Sequence, residues 1–478
     1  GSSGGIHGEG AEPNLCQRHE LKRPQLMYTK DMKIALIGYG VEGRASYNYF
    51  SRSPDNEIVV FDEFATRPAD LPRDVLFVSG PEAIEELRSG HFDKVLRTPP
   101  LAPSKLKGID NVTSGTREFF ASCPAPIIGV TGSKGKGTIS SLIYEILKAA
   151  GKTVHLVGNI GKPALEVLPD IKPNDVVVYE LSSFQLWDLD RSPHISVISV
   201  IEPEHLDVHS SVDDYYGAKA NIRRFQTIED KCFYHPTNEI SKQIADTGGP
   251  HDASDRELWR SQSNRYAVPD DGAVYVKENK FFVLSHPICS VDSLQLVGQH
   301  NVENACAAIS AALVYTNDYG AVEKGLKNFK GLPHRLQFVA EVNDVKYYDD
   351  SIATTPGSAI AALQSFEQPK VLILGGSDKG AEYKTLAEVV AKHNMRAVIT
   401  MGAMGQVIAS DLRKAGYENI HETDGKMKEA VTLAHEEARP GDVVILSPSC
   451  ASFDQYKNYA DRGDQFVANV KALPARKQ

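Results

Sequence analysis

Continuous apolar, β-branched runs alternate with amphipathic stretches along most of the chain, and the runs fall into three groups. The first opens with Lys33-Ile-Ala-Leu-Ile-Gly38-Tyr-Gly40-Val-Glu-Gly43 and continues to IVVFD, ending at Asp62. The second opens with Pro126-Ile-Ile-Gly-Val-Thr131-Gly-Ser-Lys-Gly-Lys136 and a helical pattern reaching Ala150, followed by VHLVG (154–158), VVVYE (176–180) and ISVISVI (195–201). The third holds KVLILGG (370–376), AVITMG (397–402) and VVILSPS (443–449). Unbroken apolar runs separated by amphipathic helices predict parallel strands buried on both faces, hence α/β units. Between about 230 and 296 short alternating stretches such as AVYVK and KFFVL predict a small antiparallel insertion. No internal repeat is visible. Boundaries near Ser122–Pro126 and Gly331-Leu-Pro333 divide the chain into three α/β domains, 28–122, 123–331 and 332–478, after a leader over 1–27.

Composition narrows the classes. The 478 residues allow roughly two to four domains. They are 41% hydrophobic and 24% charged, ordinary for a globular chain, and no run approaches the ~18 apolar residues of a spanning helix. A fibrous or wholly disordered chain is excluded, and no membrane insertion is expected. The balance of 52 Lys+Arg against 62 Asp+Glu, −10 overall, argues against a nucleic-acid partner. Six scattered cysteines without a C-x-x-C pair form neither a disulfide framework nor a zinc cluster, which fits a reducing cytoplasm. The opening GSSGGIHGEG has no apolar core of a signal peptide and reads as a loose tag.

Two glycine-rich turns carry the first chemistry. Gly38-Tyr-Gly40-Val41-Glu42-Gly43 fits G-x-G-x-x-G after a strand, with Asp62 closing the next strand. Such glycines let a pyrophosphate approach the backbone at a helix N-terminus. The motif alone leaves a dinucleotide, another nucleotide diphosphate or a plain strand-to-helix turn open. The second turn is more specific. Thr131-Gly132-Ser133-Lys134-Gly135-Lys136-Gly137-Thr138 lies between strand and helix, so its backbone can cradle phosphates while Lys136 reaches the terminal ones. It departs from the strict P-loop, because Val130 replaces the first glycine and Gly137 follows the lysine. The hydroxyl for Mg²⁺ is then displaced to Thr138. ATP or GTP is the expected ligand.

Downstream, Glu180 ends an apolar strand, where the ligand crevice of an open α/β sheet lies. Glu202-Pro-Glu204-His205-Leu-Asp207-Val-His209 follows the next strand and supplies carboxylates and imidazoles suited to Mg²⁺ or a phosphate. His205 taken alone reads equally as part of a solvated loop. Lys219, within Tyr216-Gly-Ala-Lys-Ala-Asn, reads on its own as a surface lysine.

Taken in order, these strings resemble the Mur ligases, ATP-dependent amino-acid ligases of peptidoglycan assembly. The resemblance runs from about Met32 to Phe466 through Gly158-Asn-Ile-Gly, Glu180-Leu-Ser-Ser-Phe-Gln-Leu, Glu204-His-Leu-Asp and Ala218-Lys219. It continues through Gly298-Gln-His-Asn-Val-Glu-Asn304, Gly331-Leu-Pro-His-Arg335, Asp349-Asp-Ser351 and Ser447-Pro-Ser-Cys-Ala-Ser-Phe-Asp-Gln. The second and last of those eight strings are most similar to the branch that joins D-glutamate to UDP-N-acetylmuramoyl-L-alanine. The resemblance implies three domains: a Rossmann-like UDP-binding domain, a central P-loop ATPase-like domain, and a Rossmann-like C-terminal domain for the amino acid. It implies that Gly38, Gly40, Val41, Glu42, Gly43 and Asp62 hold uridine and diphosphate, with Asn159 at the diphosphate. Asn301, Asn304, Arg335 and Asp350 would grip adenine, ribose and phosphates.

Two Mg²⁺ ions are implied, with Thr138 toward the first and Glu180, His205 and a carbamylated Lys219 toward the second. Thr354 and Lys379 would meet the side-chain carboxylate of D-glutamate, while Ser452, Phe453 and Tyr459 would surround its α-carboxylate. Read singly, Thr354 is a helix cap, Lys379 a loop charge and Tyr459 a core aromatic. The implied chemistry is acyl-phosphate formation followed by amine attack, in a cytoplasmic monomer of cell-wall synthesis. Three positions depart from the family pattern: Ile352 stands where lysine is frequent, Gly137-Thr138 resembles the folylpolyglutamate synthases, and Thr98-Pro-Pro-Leu replaces S-P-G-I. A folylpolyglutamate-synthase-like ligase joining glutamate to another carboxylate is the alternative. A nicotinamide-dependent dehydrogenase leaves Thr131–Thr138 unexplained, and a non-catalytic nucleotide module leaves Lys136, Glu180, His205 and Lys219 without a use.

Overall fold

The computed structural model describes residues 32–474 except 64–65, 251, 270, 379 and 425. The expected leader over 1–27 and Lys379 therefore lie outside the described residues. Three separate mixed α/β layers organise the rest, each around one sheet.

The first sheet has five parallel strands in the order Leu76–Ser79, Glu57–Asp62, Lys33–Ile37, Lys94–Arg97, Val112–Ser114. This is the doubly wound order, with the strand leading into the glycine turn at its centre. The glycines are needed sterically. Gly38 has φ +87°, and a Cβ on Gly43 would lie 2.1 Å from the Gly38 carbonyl oxygen. Only glycine allows the helix Val41–Phe50 to start that close to its strand.

The second sheet has six parallel strands, ordered Ser263–Arg265, Lys231–Tyr234, Ile195–Ile198, Ile127–Thr131, Val176–Glu180, Val154–Gly158. The antiparallel piece exists but is smaller than the 230–296 reading. It comprises only Tyr275–Lys277, Lys280–Val283 and His286–Ser290. Residues 231–234 and 263–265 instead extend the parallel sheet, joined by the helices Glu239–Ala245 and Ala253–Ser261. These two strands are too short and too polar at their ends for period alone to assign them.

The third sheet runs Gln337–Val342, Val345–Asp349, Val443–Leu446, Lys370–Gly375, Met395–Met401, Ile420–Glu422, parallel except for its antiparallel first strand. Apolar side chains cover both of its faces, and these two clusters consist of residues from its own strands, helices and connecting loops with the edge addition of Val297. The first two sheets differ: one apolar cluster passes through both, from Ile34 and Leu36 to Val177 and Ile198. At the seam Phe119 and Phe120 meet the Tyr179 ring at 5.5 and 5.8 Å. Among the described residues, no helix is long and apolar enough to cross a membrane.

Candidate active site

The strand Ile127–Thr131 feeds the helix Lys136–Ala149 through a turn that only glycine permits. Gly132 has φ +152°, and a Cβ there would sit 1.8 Å from Ser199 Oγ. Gly135 caps the helix at φ +87°. The turn is pinned from the neighbouring strand. The Ser199 hydroxyl donates to the Thr131 carbonyl at 3.2 Å, the Ser133 amide to Val200 O at 2.7 Å, and the Ser133 hydroxyl to Glu202 O at 2.8 Å. The first helical N–H groups have no carbonyl within the helix and face an anion with the positive end of the helix dipole. Thr138 is buried in that first turn. At the intervening Gly137, a Cβ would meet Leu332 Cδ1 at 2.7 Å and Glu180 Oε2 at 3.8 Å. The segment joining the second and third sheets thus rests its leucine against the turn.

Two ammonium groups converge on this loop. Lys136 Nζ donates to Gly132 O at 2.8 Å and Ser133 O at 3.0 Å, and Lys219 Nζ donates to the same Gly132 oxygen at 2.8 Å. Lys219 is 2% exposed, so the surface reading of the isolated lysine is corrected. The helix Val212–Arg224 turns it inward, over the Tyr215 ring at 4.8 Å. Burial pulls the Lys219 amine well below the ordinary lysine range, and the Lys136 charge pulls it further. Burial also lowers Lys136, against the opposing pull of Glu180 and Glu204. Glu180 is raised by burial, with Lys136, Arg335 and Lys219 holding it down. Its Oε2 is buried without a hydrogen-bond partner.

A cavity of about 500 Å³ opens here between the first and second sheets. Gly40, Val41, Glu42 and Thr98 line it from one side; Lys136, Asn159, Glu204, His205 and Lys219 line it from the other. The Asn159 amide donates to the Glu180 backbone oxygen at 3.4 Å, which holds that turn against the acid strand. His205 is exposed, with φ +56°, and its ring lies 4.9 Å from that of Phe184. Asp62 is not part of the cavity lining. Gly38 and Gly43 stand behind it as backbone spacers against Thr98.

On the side toward the third sheet, Asn304 Oδ1 lies 2.5 Å from where a Gly135 Cβ would be, and Asn304 donates to Asn301 Oδ1 at 3.2 Å. Arg335 is exposed, and its charge reaches Lys136, Glu180 and Asp350. Asp350 accepts the Leu336 amide at 3.1 Å and the Ser447 hydroxyl at 2.7 Å, while burial pushes its carboxyl up to about 7.

The expected amino-acid residues lie elsewhere. Thr354, Ser452, Phe453 and Tyr459 surround the third sheet's carboxyl end, outside the cavity. Ser452 is buried, while Phe453 is 72% exposed and Tyr459 42%, so Tyr459 is no core aromatic. The helix Pro356–Gln364 is capped by Thr355 rather than Thr354, because proline takes the first helical position and the cap must precede it. Arg462, fully buried, ties these segments: it donates to Ser351 O at 2.8 Å and to the carbonyls of Cys450 and Ala451 at 3.1 Å. The motifs give no role to Arg462 or to Ser199, and they offer Glu204 only as one of several carboxylates around His205.

Among the described residues no group of three or more His, Cys, Asp or Glu side chains is assembled for a metal. The orphaned Glu180 oxygen beside the phosphate turn nevertheless has the chemistry of a cation ligand, and His205 lines the same cavity.

The chain matches the Mur ligase middle domain over residues 130–312 and the Mur ligase glutamate ligase domain over 334–450. It is 34% identical over 468 residues to the UDP-N-acetylmuramoylalanine–D-glutamate ligase of Clostridium tetani, covering 94% of this chain and 98% of that one. It is 36% identical over 457 residues to the ligase of the same name from Symbiobacterium thermophilum, covering 92% and 98%. Among solved structures it superposes on the UDP-N-acetylmuramate-alanine ligase of Thermotoga maritima with TM-score 0.56 at 18% identity, over 92% of this chain and 99% of the other. That last likeness is one of fold.

Proposed function

The chain belongs to the Mur ligase family, and from that premise we propose that it joins D-glutamate to UDP-N-acetylmuramoyl-L-alanine, using ATP, in peptidoglycan precursor synthesis. The observation that supports this reading is the shared cavity, which sets the glycine turn Gly40–Glu42 facing Lys136 of the phosphate loop and Lys219 of the helix Val212–Arg224. A UDP-sugar held by the first sheet would extend its free carboxylate toward the ATP γ-phosphate. The family uses ATP as co-substrate. Residues 28–122, 123–331 and 332–478 then serve the UDP-sugar, ATP and amino acid respectively, in a cytoplasmic monomer.

An unactivated carboxylate does not acylate an amine in water, so the L-alanine carboxylate first attacks the γ-phosphorus. The O–P bond to ADP breaks and an acyl phosphate forms. Lys136, now bound to its own loop carbonyls, turns onto the transferring phosphoryl group and offsets its charge. The free amine of D-glutamate attacks the carbonyl carbon and forms the C–N bond; the tetrahedral intermediate then re-forms the carbonyl by expelling phosphate, and the amine's proton leaves to solvent or to the departing phosphate. Thr138, Glu180, His205 and a carbamylated Lys219 would hold Mg²⁺, which when bound supplies charge neutralisation on the phosphate oxygens. A neutral buried amine at Lys219 is the form that can take up CO₂, and burial already favours it. Asn301, Asn304, Arg335 and Asp350 orient the nucleotide. Thr354, Lys379, Ser452, Phe453 and Tyr459 orient D-glutamate, and approach of the third sheet excludes water from the acyl phosphate.

The deciding assay is phosphate release from ATP. Release should require both UDP-N-acetylmuramoyl-L-alanine and glutamate and should prefer the D isomer. Lys136→Ala should abolish most turnover yet keep UDP-substrate binding, which is read separately by calorimetry. Release driven by glutamate with another carboxylate, or near-normal turnover in the variant, defeats the reading.

A further inference from the structure

Thr98-Pro-Pro-Leu, the departure in the sugar-side loop, leads to a residue with no assigned role. Arg97 ends the strand Lys94–Arg97 and is 2% exposed. Its guanidinium forks onto Asp188 of the second sheet's layer: Nε donates to Oδ2 at 2.7 Å and Nη2 to Oδ1 at 2.6 Å. Nη2 also donates to Phe184 O at 2.9 Å. Nη1 donates to Pro99 O at 3.0 Å and to the carbonyls of Leu101 and Thr98 at 3.3 and 3.4 Å.

Of these acceptors Thr98, Pro99 and Phe184 line the cavity, while Leu101 and Asp188 lie just behind the two walls. Thr98, Pro99 and Pro100 form one lip, and Ser182, Ser183 and Phe184, at the start of the helix Ser183–Leu186, form part of the facing wall. Pro99 and Pro100 have no amide N–H, so between the Thr98 amide, which donates to Ile37 O at 3.2 Å, and the Leu101 amide the lip is held through carbonyls, and Arg97 takes those of Thr98, Pro99 and Leu101. The Arg97 charge is matched by Asp188 in a bidentate pair and is not available for a phosphate. Flanking contacts run the same way: Gln185 donates to Glu42 Oε1 at 3.2 Å, and Arg117 donates to Asp190 at 2.6 Å.

We propose that Arg97 is a positioning residue that, through Asp188, fixes the two facing walls of the cavity at one separation and so sets affinity for the UDP-linked substrate. A buried ion pair adds little net stability once desolvation is counted; what its fork geometry supplies is orientation. The substrate named here rests on the function proposed above, whereas the coupling of the two walls does not.

The test uses the full-length enzyme with Asp188→Asn, which keeps side-chain size, and Arg97→Lys, which keeps the charge. Amide hydrogen exchange is measured over 101–106 and 184–188, alongside KM for both substrates and kcat. In Asp188→Asn, exchange in both segments should rise together, and KM for UDP-N-acetylmuramoyl-L-alanine should rise about tenfold or more. KM for ATP and kcat should stay within about twofold, because the phosphate loop is pinned by other bonds. Arg97→Lys, which cannot fork, should give the same pattern. Unchanged exchange in both variants overturns the proposal. So does a parallel loss of kcat and both KM values that follows melting temperature, since that is a folding defect alone. If the wild type shows no turnover with the UDP substrate, the functional reading fails while the exchange measurement still decides the coupling.

Discussion

Asp350 links protonation to folding in a way that one substitution can isolate. Its carboxyl stands at the end of the strand Val345–Asp349, where burial outweighs two accepted hydrogen bonds and the Arg335 charge. The group moves from an ordinary 3.8 to about 7. Below 3.8 both folded and unfolded chains carry the proton, and no penalty exists. As pH rises through 3.8 the unfolded chain releases it while the folded chain keeps it, so stability falls until the folded group ionises near 7. At about 1.36 kcal/mol per tenfold change in proton affinity, the total loss across that window is on the order of 4 kcal/mol. Asp350→Asn has no such proton, so its stability lacks this slope. Native-state hydrogen exchange of the strand amides in Val345–Asp349 and Val443–Leu446, taken as wild type against variant at each pH, removes the intrinsic pH dependence of exchange. The advantage of wild type over variant should shrink or reverse by several kcal/mol, of the order just given, between about pH 4 and 7.5. A difference that stays flat across that range refutes the reasoning.

Two further outcomes test the phosphate loop. Lys219→Ala should lose most activity and be partly rescued by short carboxylic acids, which restore an anion where the carbamate would stand; a folded variant without rescue counts against carbamylation. Gly132→Ala puts a methyl group 1.8 Å from Ser199 Oγ at φ +152°, so ATP affinity should fall about tenfold or more while UDP-substrate affinity holds. Calorimetry with each ligand reads both, and retained ATP affinity means the turn is not the nucleotide cradle.

The strand–glycine–helix pattern made the α/β class and both glycine turns legible, because those features depend on local period and local sterics. What period cannot carry is which side chain another element will cover. Lys219 looked like surface because its own helix supplies only the Tyr215 ring, four residues earlier, while the Gly132 carbonyl that accepts its ammonium lies eighty-seven residues away. Arg97 is one charge at the end of an apolar strand, and its meaning lies in Asp188, ninety-one residues away. The strands Lys231–Tyr234 and Ser263–Arg265 are paired parallel by tertiary contact with Ile195–Ile198 and with one another, not by any alternation of their own. The mismatch at Thr354 and Thr355 is of another kind, since two adjacent threonines precede one proline and only the backbone decides which caps. Glu204 was visible beside His205, yet its reach to both Lys136 and Lys219 required the folded loop.

The contact between Leu332 and Gly137 ties the seating of a connecting segment to the phosphate turn. The missing side chain at 137 and the leucine in the connecting segment draw on one volume, since a Cβ would come within 2.7 Å of Leu332 Cδ1. Because that atom is the free end of a flexible side chain, a residue at 137 is accommodated by turning Leu332 away from the loop. A hydroxyl residue after the phosphate-loop lysine would thus loosen the point where the connection between the second and third sheets rests on the nucleotide turn.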